Sequence, residues 1–197
     1  EREKRLRKDG EKQYAPPADT LSHDTIEHDP FMPVVPRDAV SEDLDVAILG
    51  AGWSGITAGF HLNNAGVTNY RHIDHAGSFG GTWYWNRYPG IQCDNDAYCY
   101  LPLLEETGFM PTQKFSDGKE IHDYIQLCAD QFGFRDKALF HTLITNLKWD
   151  ESIKRWRIST DRGDDIRACH VIMCGGTLST PKFPGVPGIH AFKGHKF

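Results

Sequence analysis

Three glycines and one aspartate have the types and the spacing that hold a dinucleotide. Gly50, Gly52 and Gly55 form the pattern GxGxxG directly after an apolar run, and Asp74 ends the next predicted strand. The first glycine permits a tight turn, the second lets backbone approach a pyrophosphate, and the third lets a helix pack on a strand. The pyrophosphate would lie at the helix N-terminus, where free N–H groups and the helix dipole stabilise negative charge. The carboxylate of Asp74 would accept hydrogen bonds from ribose hydroxyls.

This block of residues predicts a dinucleotide site, in preference to a purely structural turn between a strand and a helix. FAD and NAD share the fingerprint, so the glycines alone do not distinguish the two cofactors. The predicted contact residues of the block are Gly50, Gly52, Trp53, Ser54, Gly55 and Asp74.

Three predicted elements position this block. The apolar run 46–49 suits a buried parallel strand. Residues 54–65 suit a helix that ends at Gly66, because glycine is the favoured residue after a helix C-terminus. Residues 70–74 suit a second strand, although Arg71 and His72 make it unusually polar. Together these elements predict a β-α-β unit.

A second helix is predicted over residues 118–132. Its apolar residues recur at helical spacing, and Gly133 follows them. Asp117 and Glu120 resemble a capping box at its start. The apolar face of this helix is expected to lie in the core.

The fold class predicted from these elements is α/β, a Rossmann-like domain with a parallel sheet and a β-meander. Short apolar runs within residues 139–174 alternate with polar turns and predict the meander, with separate strands over LFHTLI (139–144) and LKW (147–149). The domain is expected to span residues 44–197. Residues 1–43 are expected to be an extended strap or linker, with disorder as the alternative, because they combine many charges with prolines. These prolines are Pro16, Pro17, Pro30, Pro33 and Pro36.

The composition excludes several functional classes. The chain has 197 residues and a net charge of −5, and it carries no basic face of the kind that binds nucleic acid. No apolar run approaches the ~20 residues of a membrane span, and no signal peptide opens the chain. The five cysteines form neither a CxxC pair nor a zinc spacing. They are expected to be reduced thiols, which predicts a cytoplasmic protein without a metal site.

A longer block follows the glycine pattern, with GGTW at 80–83, YPG at 88–90 and then Asp94. Its order is a small residue, Gly, any residue, Trp, four residues, an aromatic residue, Pro, Gly, three residues and Asp. This block resembles the Baeyer–Villiger monooxygenases, which are class B flavoproteins. An aromatic-rich loop that packs on a core is the alternative interpretation.

The C-terminal residues resemble the same family. Residues 175–188 are similar to its crossing from the FAD domain to the NADPH domain, and residues 192–197 (FKGHKF) match the opening of its signature FxGxxxHxxxWP. The resemblance covers residues 44–197 and implies an FAD-binding N-terminal fragment without the NADPH-binding domain. One departure is Asp74, which stands where Glu is more usual and has a shorter reach.

The resemblance implies an FAD- and NADPH-dependent monooxygenase that uses O₂ to insert oxygen next to a ketone carbonyl, giving an ester or lactone. Asp94 would have a catalytic role by holding an arginine of the NADPH-binding portion, so the chain alone is expected to be inactive. The alternatives are an enzyme that hydroxylates amines on nitrogen and an FAD-binding module without turnover. The sequence indicates neither the ketone nor the oligomeric state. The contacts that the resemblance adds are Gly81, Thr82, Trp83, Asp94, Tyr100 and Ile144.

Overall fold

The computed structural model of the chain describes residues 14–15, 29–178, 183–184, 188 and 191–194. Most of the predicted extension over residues 1–43, and residues 195–197 of the predicted signature, lie outside the described residues. The strands are β1 (Tyr14–Ala15), β2 (Ser41–Leu49), β3 (Tyr70–Ile73), β4 (Ala138–Leu139), β5 (Ile144–Asp150), β6 (Arg155–Thr160), β7 (Asp165–Met173) and β8 (Phe183–Pro184). The α-helices are α1 (Trp53–Asn64), α2 (Thr82–Trp85), α3 (Ala97–Tyr100), α4 (Leu104–Thr107) and α5 (Gly118–Gln131), and a 3₁₀ turn covers Arg135–Lys137.

Six strands form one mixed sheet in the order β4-β3-β2-β7-β6-β5. The strands β4, β3, β2 and β7 are parallel neighbours, and β7, β6 and β5 are antiparallel neighbours. The predicted β-α-β unit is confirmed, because β2 and β3 pair in parallel with α1 between them. The predicted meander also returns to the first sheet, since β7 pairs along β2. Separately, β1 pairs antiparallel with β8.

Two boundaries differ from the sequence-based prediction. Strand β2 begins at Ser41, before the predicted strand start at residue 46 and the predicted domain start at residue 44, because its first residues pair with the beginning of β7. The predicted strand 139–144 is wrong: Leu139 ends a short strand beside β3, and Ile144 begins β5. The residues between them leave the sheet because His141 has a φ of 46° and its N–H donates to the carbonyl of Ala76.

Apolar side chains cover both faces of the sheet. Alternate residues of a strand point to opposite faces, so Val46 and Ile48 of β2 pack beneath the helices, whereas Ala47 and Leu49 pack on the other side. Helix α5 buries the predicted apolar face against the larger core. None of the helices in the described part of the chain has the length and apolarity that crossing a bilayer requires.

The predicted capping box of α5 is half correct. The side chain of Asp117 accepts a hydrogen bond from the N–H of Glu120 at 2.7 Å. The carboxylate of Glu120 does not complete the box, because it accepts from the N–H of Thr112 at 2.8 Å. Glu120 therefore fixes the incoming loop and not the helix start.

His72 is a buried polar residue in the core of the sheet. Its side chain is fully buried, it packs near Gly59 of α1, and its ring centroid lies 5.2 Å from that of Phe79. Among the described residues, neither ring nitrogen has a hydrogen-bond partner. Burial lowers the pKa of His72 to about 4. The folded state therefore holds this ring neutral at a pH where an exposed histidine is charged.

We expect acid to destabilise the fold through His72. Above pH 6.5, the approximate pKa of this histidine in the unfolded chain, neither the folded nor the unfolded chain binds the proton. Between about pH 6.5 and pH 4, only the unfolded chain binds it. The free energy of unfolding should therefore fall by up to about 3 kcal/mol across this range. Urea unfolding at several pH values should show that His72→Leu loses this part of the pH dependence. The control is His61→Gln, which removes an exposed histidine. An unchanged pH profile in His72→Leu would contradict the prediction.

Candidate functional site

A cavity of about 450 Å³ opens beyond the C-terminal ends of β2, β3 and β7. Ligands of open α/β sheets bind at this edge, outside the carboxyl ends of the strands. Ten of the twelve predicted site residues line the cavity. They are Gly50, Gly52, Trp53, Ser54, Asp74, Gly81, Thr82, Trp83, Tyr100 and Ile144.

The turn from β2 into α1 requires glycine at two positions. Gly50 has a φ of 126°, and a Cβ there would lie 2.3 Å from the carbonyl oxygen of Cys174. A Cβ on Gly55 would lie 2.2 Å from the carbonyl oxygen of Gly50. Gly55 therefore lies behind the cavity and lets α1 approach the strand, as the sequence pattern predicts.

Helix α1 points its N-terminus toward the cavity without a capping side chain. Its N-cap residue is Gly52, and the first turn contains no acidic residue. No side chain of the described residues bonds to the first N–H groups. The first N–H groups of a helix have no partner within the helix and carry partial positive charge. This end of α1 is therefore suited to an anionic group.

The two glycine motifs of the sequence meet backbone to backbone. A Cβ on Gly81 would lie 2.7 Å from the Cα of Gly52, and Gly81 has a φ of 54°. The N–H of Gly80 donates to the carbonyl of Ala51 at 3.0 Å. The GGTW turn is thus fixed against the GxGxxG turn, and together they form one wall of the cavity.

Asp74 braces the same turns. Its Oδ2 accepts from the N–H of Ala51 at 2.6 Å, and its Oδ1 accepts from the N–H of Ala76 at 2.9 Å. The side chain is 10% exposed and lies at the cavity. Each carboxylate oxygen can accept a further hydrogen bond, so Asp74 can both hold the glycine turn and bind a hydroxyl group.

An aromatic cluster closes the inner end of the cavity. The indole Nε1 of Trp83 donates to the hydroxyl of Tyr100 at 2.7 Å, and Trp83 is buried. Burial raises the pKa of Tyr100, so its phenol stays protonated. Trp53 packs on Tyr124, with ring centroids 5.3 Å apart. In the part of the chain that the structure describes, Nε1 of Trp53 is buried without a hydrogen-bond partner.

Two segments form the wall of the cavity opposite the glycine turns. The sequence did not predict most of their residues as site residues. The segment before β5 contributes Thr142 and Leu143 beside the predicted Ile144, and the N–H of Thr142 donates to the carbonyl of Asp74 at 3.0 Å. The second segment consists of the last residue of β7 and the five residues after it. The glycine pair directly after a predicted strand was the available signal for this second segment. Its lining residues are Met173, Cys174, Gly175, Gly176, Thr177 and Leu178.

A stacked aromatic pair at the cavity was also missed. The rings of His75 and Trp85 lie 4.9 Å apart with an interplanar angle of 12°. Both residues line the cavity. His75 directly follows Asp74, so its position after a strand that ends at the site was the available signal.

Asp94 lies apart from the other predicted site residues. It is exposed on the loop between α2 and α3, and it is not among the residues that line the cavity. Within the described residues its only side-chain hydrogen bond is from Nδ2 of Asn95 at 3.4 Å. The loop itself is anchored, because the N–H of the neighbouring Cys93 donates to the carbonyl of Ser116 at 3.0 Å. The predicted role of Asp94 therefore depends on a partner beyond the described residues.

Comparisons with known proteins place the chain in a family. The family model of the NAD(P)-binding Rossmann-like domain matches residues 48–107. Baeyer-Villiger monooxygenase 4 of Dietzia sp. (strain D5) is 44% identical over 197 residues, which are 100% of this chain and 32% of that protein. The chain therefore spans about a third of the length of this curated relative.

Solved structures agree with this match. The polycyclic ketone monooxygenase from the thermophilic fungus Thermothelomyces thermophila has a TM-score of 0.78 and 32% identity, over 95% of this chain and 32% of that one. The complex of OTEMO with FAD and NADP has a TM-score of 0.68 and 31% identity, over 78% of this chain and 30% of that one. With this sequence identity and this fold, the chain belongs to the Baeyer–Villiger monooxygenases and corresponds to their N-terminal part.

Proposed function

We propose that the cavity binds FAD and that the chain is the FAD-binding part of an FAD- and NADPH-dependent monooxygenase. The enzyme would insert an oxygen atom from O₂ next to a ketone carbonyl and give an ester or lactone. The observation that carries the proposal is the pair of glycine turns, Gly50–Gly55 and Gly80–Gly81, pressed together at the uncapped N-terminus of α1. OTEMO, a structural neighbour, binds FAD and NADP.

The glycine end of the cavity would hold the ADP half of FAD. Gly52 and Ser54 lie at the start of α1, where N–H groups and the helix dipole favour the pyrophosphate. Asp74 lies beside them with free acceptor capacity for the ribose hydroxyls. No acidic side chain in the first turn of α1 opposes the phosphates. The residues present therefore fit the group.

The aromatic end would hold the flavin half. Trp83 and Tyr100 are joined by a hydrogen bond, and Thr82 and Ile144 line the cavity near them. Trp83 is buried and the other three are half-buried. These groups would orient the cofactor and exclude water. FAD, once reduced by NADPH, supplies the chemistry that activates O₂, and the protein supplies orientation and electrostatics.

Asp94 would act by positioning a cation. Its exposed carboxylate, with one weak contact from Asn95 among the described residues, is available to hold an arginine close to the reacting atoms. The ketone, O₂ and NADPH are the partners that follow from this function. The odd and scattered set of cysteines supports a cytoplasmic location.

The first test is whether this chain prefers FAD to NADP⁺. We expect FAD to bind at about one molecule per chain, with quenching of flavin fluorescence, because the cavity has an aromatic end as well as a phosphate end. NADP⁺ in excess should not displace FAD, since nicotinamide lacks a tricyclic ring to fill the aromatic end. Fluorescence titration and equilibrium dialysis measure both affinities.

Two results would contradict the proposal. Binding of NADP⁺ without FAD would assign the cavity to a nicotinamide cofactor. If the polypeptide that the full reading frame encodes converts amines but not ketones, the enzyme belongs to the N-hydroxylating class. A panel of cyclic ketones and primary amines with NADPH and O₂ separates these outcomes.

A further inference from the structure

The segment 29–37, here called the strap, runs from α2 to the turn between β6 and β7. It connects three segments that border the cavity. Its first residue, Asp29, has a side chain that is only 1% exposed. The Oδ1 atom accepts from the N–H groups of Phe31 at 2.8 Å and Met32 at 3.1 Å. The Oδ2 atom accepts from the hydroxyl of Tyr84, and it also lies 2.9 Å from Nε2 of His141.

The same Oδ2 atom accepts from the N–H of Gly77 at 3.1 Å. Gly77, Tyr84 and His141 belong to three different segments, and each segment borders the cavity. Gly77 follows Asp74, Tyr84 belongs to α2 between Trp83 and Trp85, and His141 precedes Thr142. One carboxylate from outside the β-α-β unit therefore connects both walls of the cavity.

The junction around Asp29 is closely packed. A Cβ on Gly77 would lie 2.6 Å from Nε2 of His141, 2.7 Å from Oδ2 of Asp29 and 2.7 Å from the hydroxyl of Tyr84. Burial raises the pKa of Asp29, but the hydrogen bonds from Tyr84, Phe31 and His141 outweigh burial, and the pKa lies below its usual value. Asp29 is therefore a carboxylate in the folded state.

Further contacts at both ends hold the strap in place. The ring of Phe31 lies edge-on to Tyr84 with centroids 5.6 Å apart, and the guanidinium of Arg87 lies 4.0 Å from the centroid of Phe31. At the other end, Arg37 forms a bidentate pair with Asp164 at 2.7 and 2.6 Å. Nη2 of Arg37 also donates to the hydroxyl of Thr142 at 3.1 Å. The strap is thus fixed at both ends beside the cavity.

We propose that Asp29 is a positioning residue for FAD. By binding Tyr84 and His141, Asp29 sets the distance between α2 and the segment 141–144 across the cavity. This inference rests on the proposed function, because it assumes that FAD occupies the cavity. Asp29 does not line the cavity itself and acts through Tyr84 and His141. The strap is therefore part of the cofactor site and not only a linker.

The test is the affinity of this chain for FAD in Asp29→Asn. Backbone N–H groups donate to both carboxylate oxygens, from Phe31 and Met32 to Oδ1 and from Gly77 to Oδ2. Either orientation of the Asn amide therefore places its NH₂ group against a donor. We expect the Kd for FAD to rise about tenfold. The visible circular dichroism of the bound flavin should also change. The matched control is Asp38→Asn, an exposed aspartate of the adjoining residues, which should leave both readouts unchanged.

Urea unfolding of the FAD-free chain separates positioning from mere stability. A folded but less stable chain would keep the wild-type Kd and the wild-type flavin spectrum at a temperature well below its unfolding transition. Tyr84→Phe removes only one hydroxyl, so it serves as the second variant if Asp29→Asn does not fold. It should shift the spectrum in the same direction, and the double variant should add little to either single change.

If both folded variants keep the wild-type Kd and spectrum, the positioning role is overturned and the proposed function stands. If Asp29→Asn does not fold, the same result in Tyr84→Phe alone overturns the positioning role. If the unchanged chain binds no FAD, the proposed function is wrong and the role of Asp29 falls with it. The two failures are therefore distinguishable in one titration series.

Discussion

Gly52→Val is expected to raise the Kd for FAD by about a hundredfold or more, which corresponds to roughly 2.7 kcal/mol. Gly52 is the N-cap of α1, and a Cβ there would lie 3.3 Å from the Cα of Gly81. The branched side chain would occupy the place where backbone is proposed to approach the pyrophosphate, and it would push the GGTW turn outward. Gly52 has a φ of −87°, which valine tolerates, so the chain should still fold.

The matched control for Gly52→Val is Gly66→Asn at the other end of α1. Gly66 has a φ of 77° with nothing within 4 Å of its Cβ position, and asparagine tolerates this conformation. Its Kd for FAD should equal that of the wild type. Fluorescence titration gives the Kd, and far-ultraviolet circular dichroism checks the fold. A folded Gly52→Val chain that still binds FAD tightly would show that the pyrophosphate lies elsewhere.

The sequence was sufficient to predict the parts of the site whose geometry depends on residues close together in the chain. The glycine pattern Gly50–Gly55 and the strand that ends before Asp74 are close in the chain, and their geometry follows from one β-α-β unit. GGTW begins seven residues after the strand that ends before Asp74, although its contact with the first turn joins residues 29 positions apart, Gly52 and Gly81. The predicted residues that line the cavity come mainly from these blocks.

The opposite wall could not be deduced in the same way. Thr142 reaches the cavity only because the chain leaves the sheet at His141, which has a positive φ. No local residue pattern predicted this φ. The predicted strand 139–144 was wrong for the same reason. The residues after Met173 reach the cavity because β7 pairs with β2 along its whole length, a contact between distant parts of the chain. The sequence predicted that the meander returns to the first sheet, but the register of a pairing between such distant strands has no signature in a single sequence.

One residue of the strap, Asp29, likewise has contacts with distant parts of the chain that the sequence did not predict. The prolines of the strap predicted an extended segment, and residues 33–40 belong to neither a helix nor a strand. The role proposed for Asp29 depends on partners 55 residues away at Tyr84 and 112 residues away at His141. A buried carboxylate needs hydrogen-bond donors on all sides, and these donors become visible only once the three segments are brought together.

Asp94→Ala is expected to lower ketone oxygenation at least about a hundredfold in the polypeptide that the full reading frame encodes. The proposed arginine would lose the carboxylate that holds it and would sample positions away from the reacting atoms. Because Asp94 is exposed and does not line the cavity, FAD affinity should stay close to that of the wild type. The assay is NADPH- and O₂-dependent formation of lactone from cyclic ketones, with kcat and KM measured separately.

The controls for Asp94 separate charge from loop structure. Asn95→Ala removes the one described contact to the carboxylate and leaves the charge, so it should retain most of the activity. Asp94→Asn keeps the shape without the charge, so it should lose nearly as much kcat as Asp94→Ala. If Asp94→Asn were fully active, the carboxylate charge would not be needed. If Asn95→Ala lost as much activity as Asp94→Ala, the effect would belong to the loop. A parallel loss of FAD from Asp94→Ala would instead make this residue part of the cofactor site, and the exposed position of its side chain argues against that outcome.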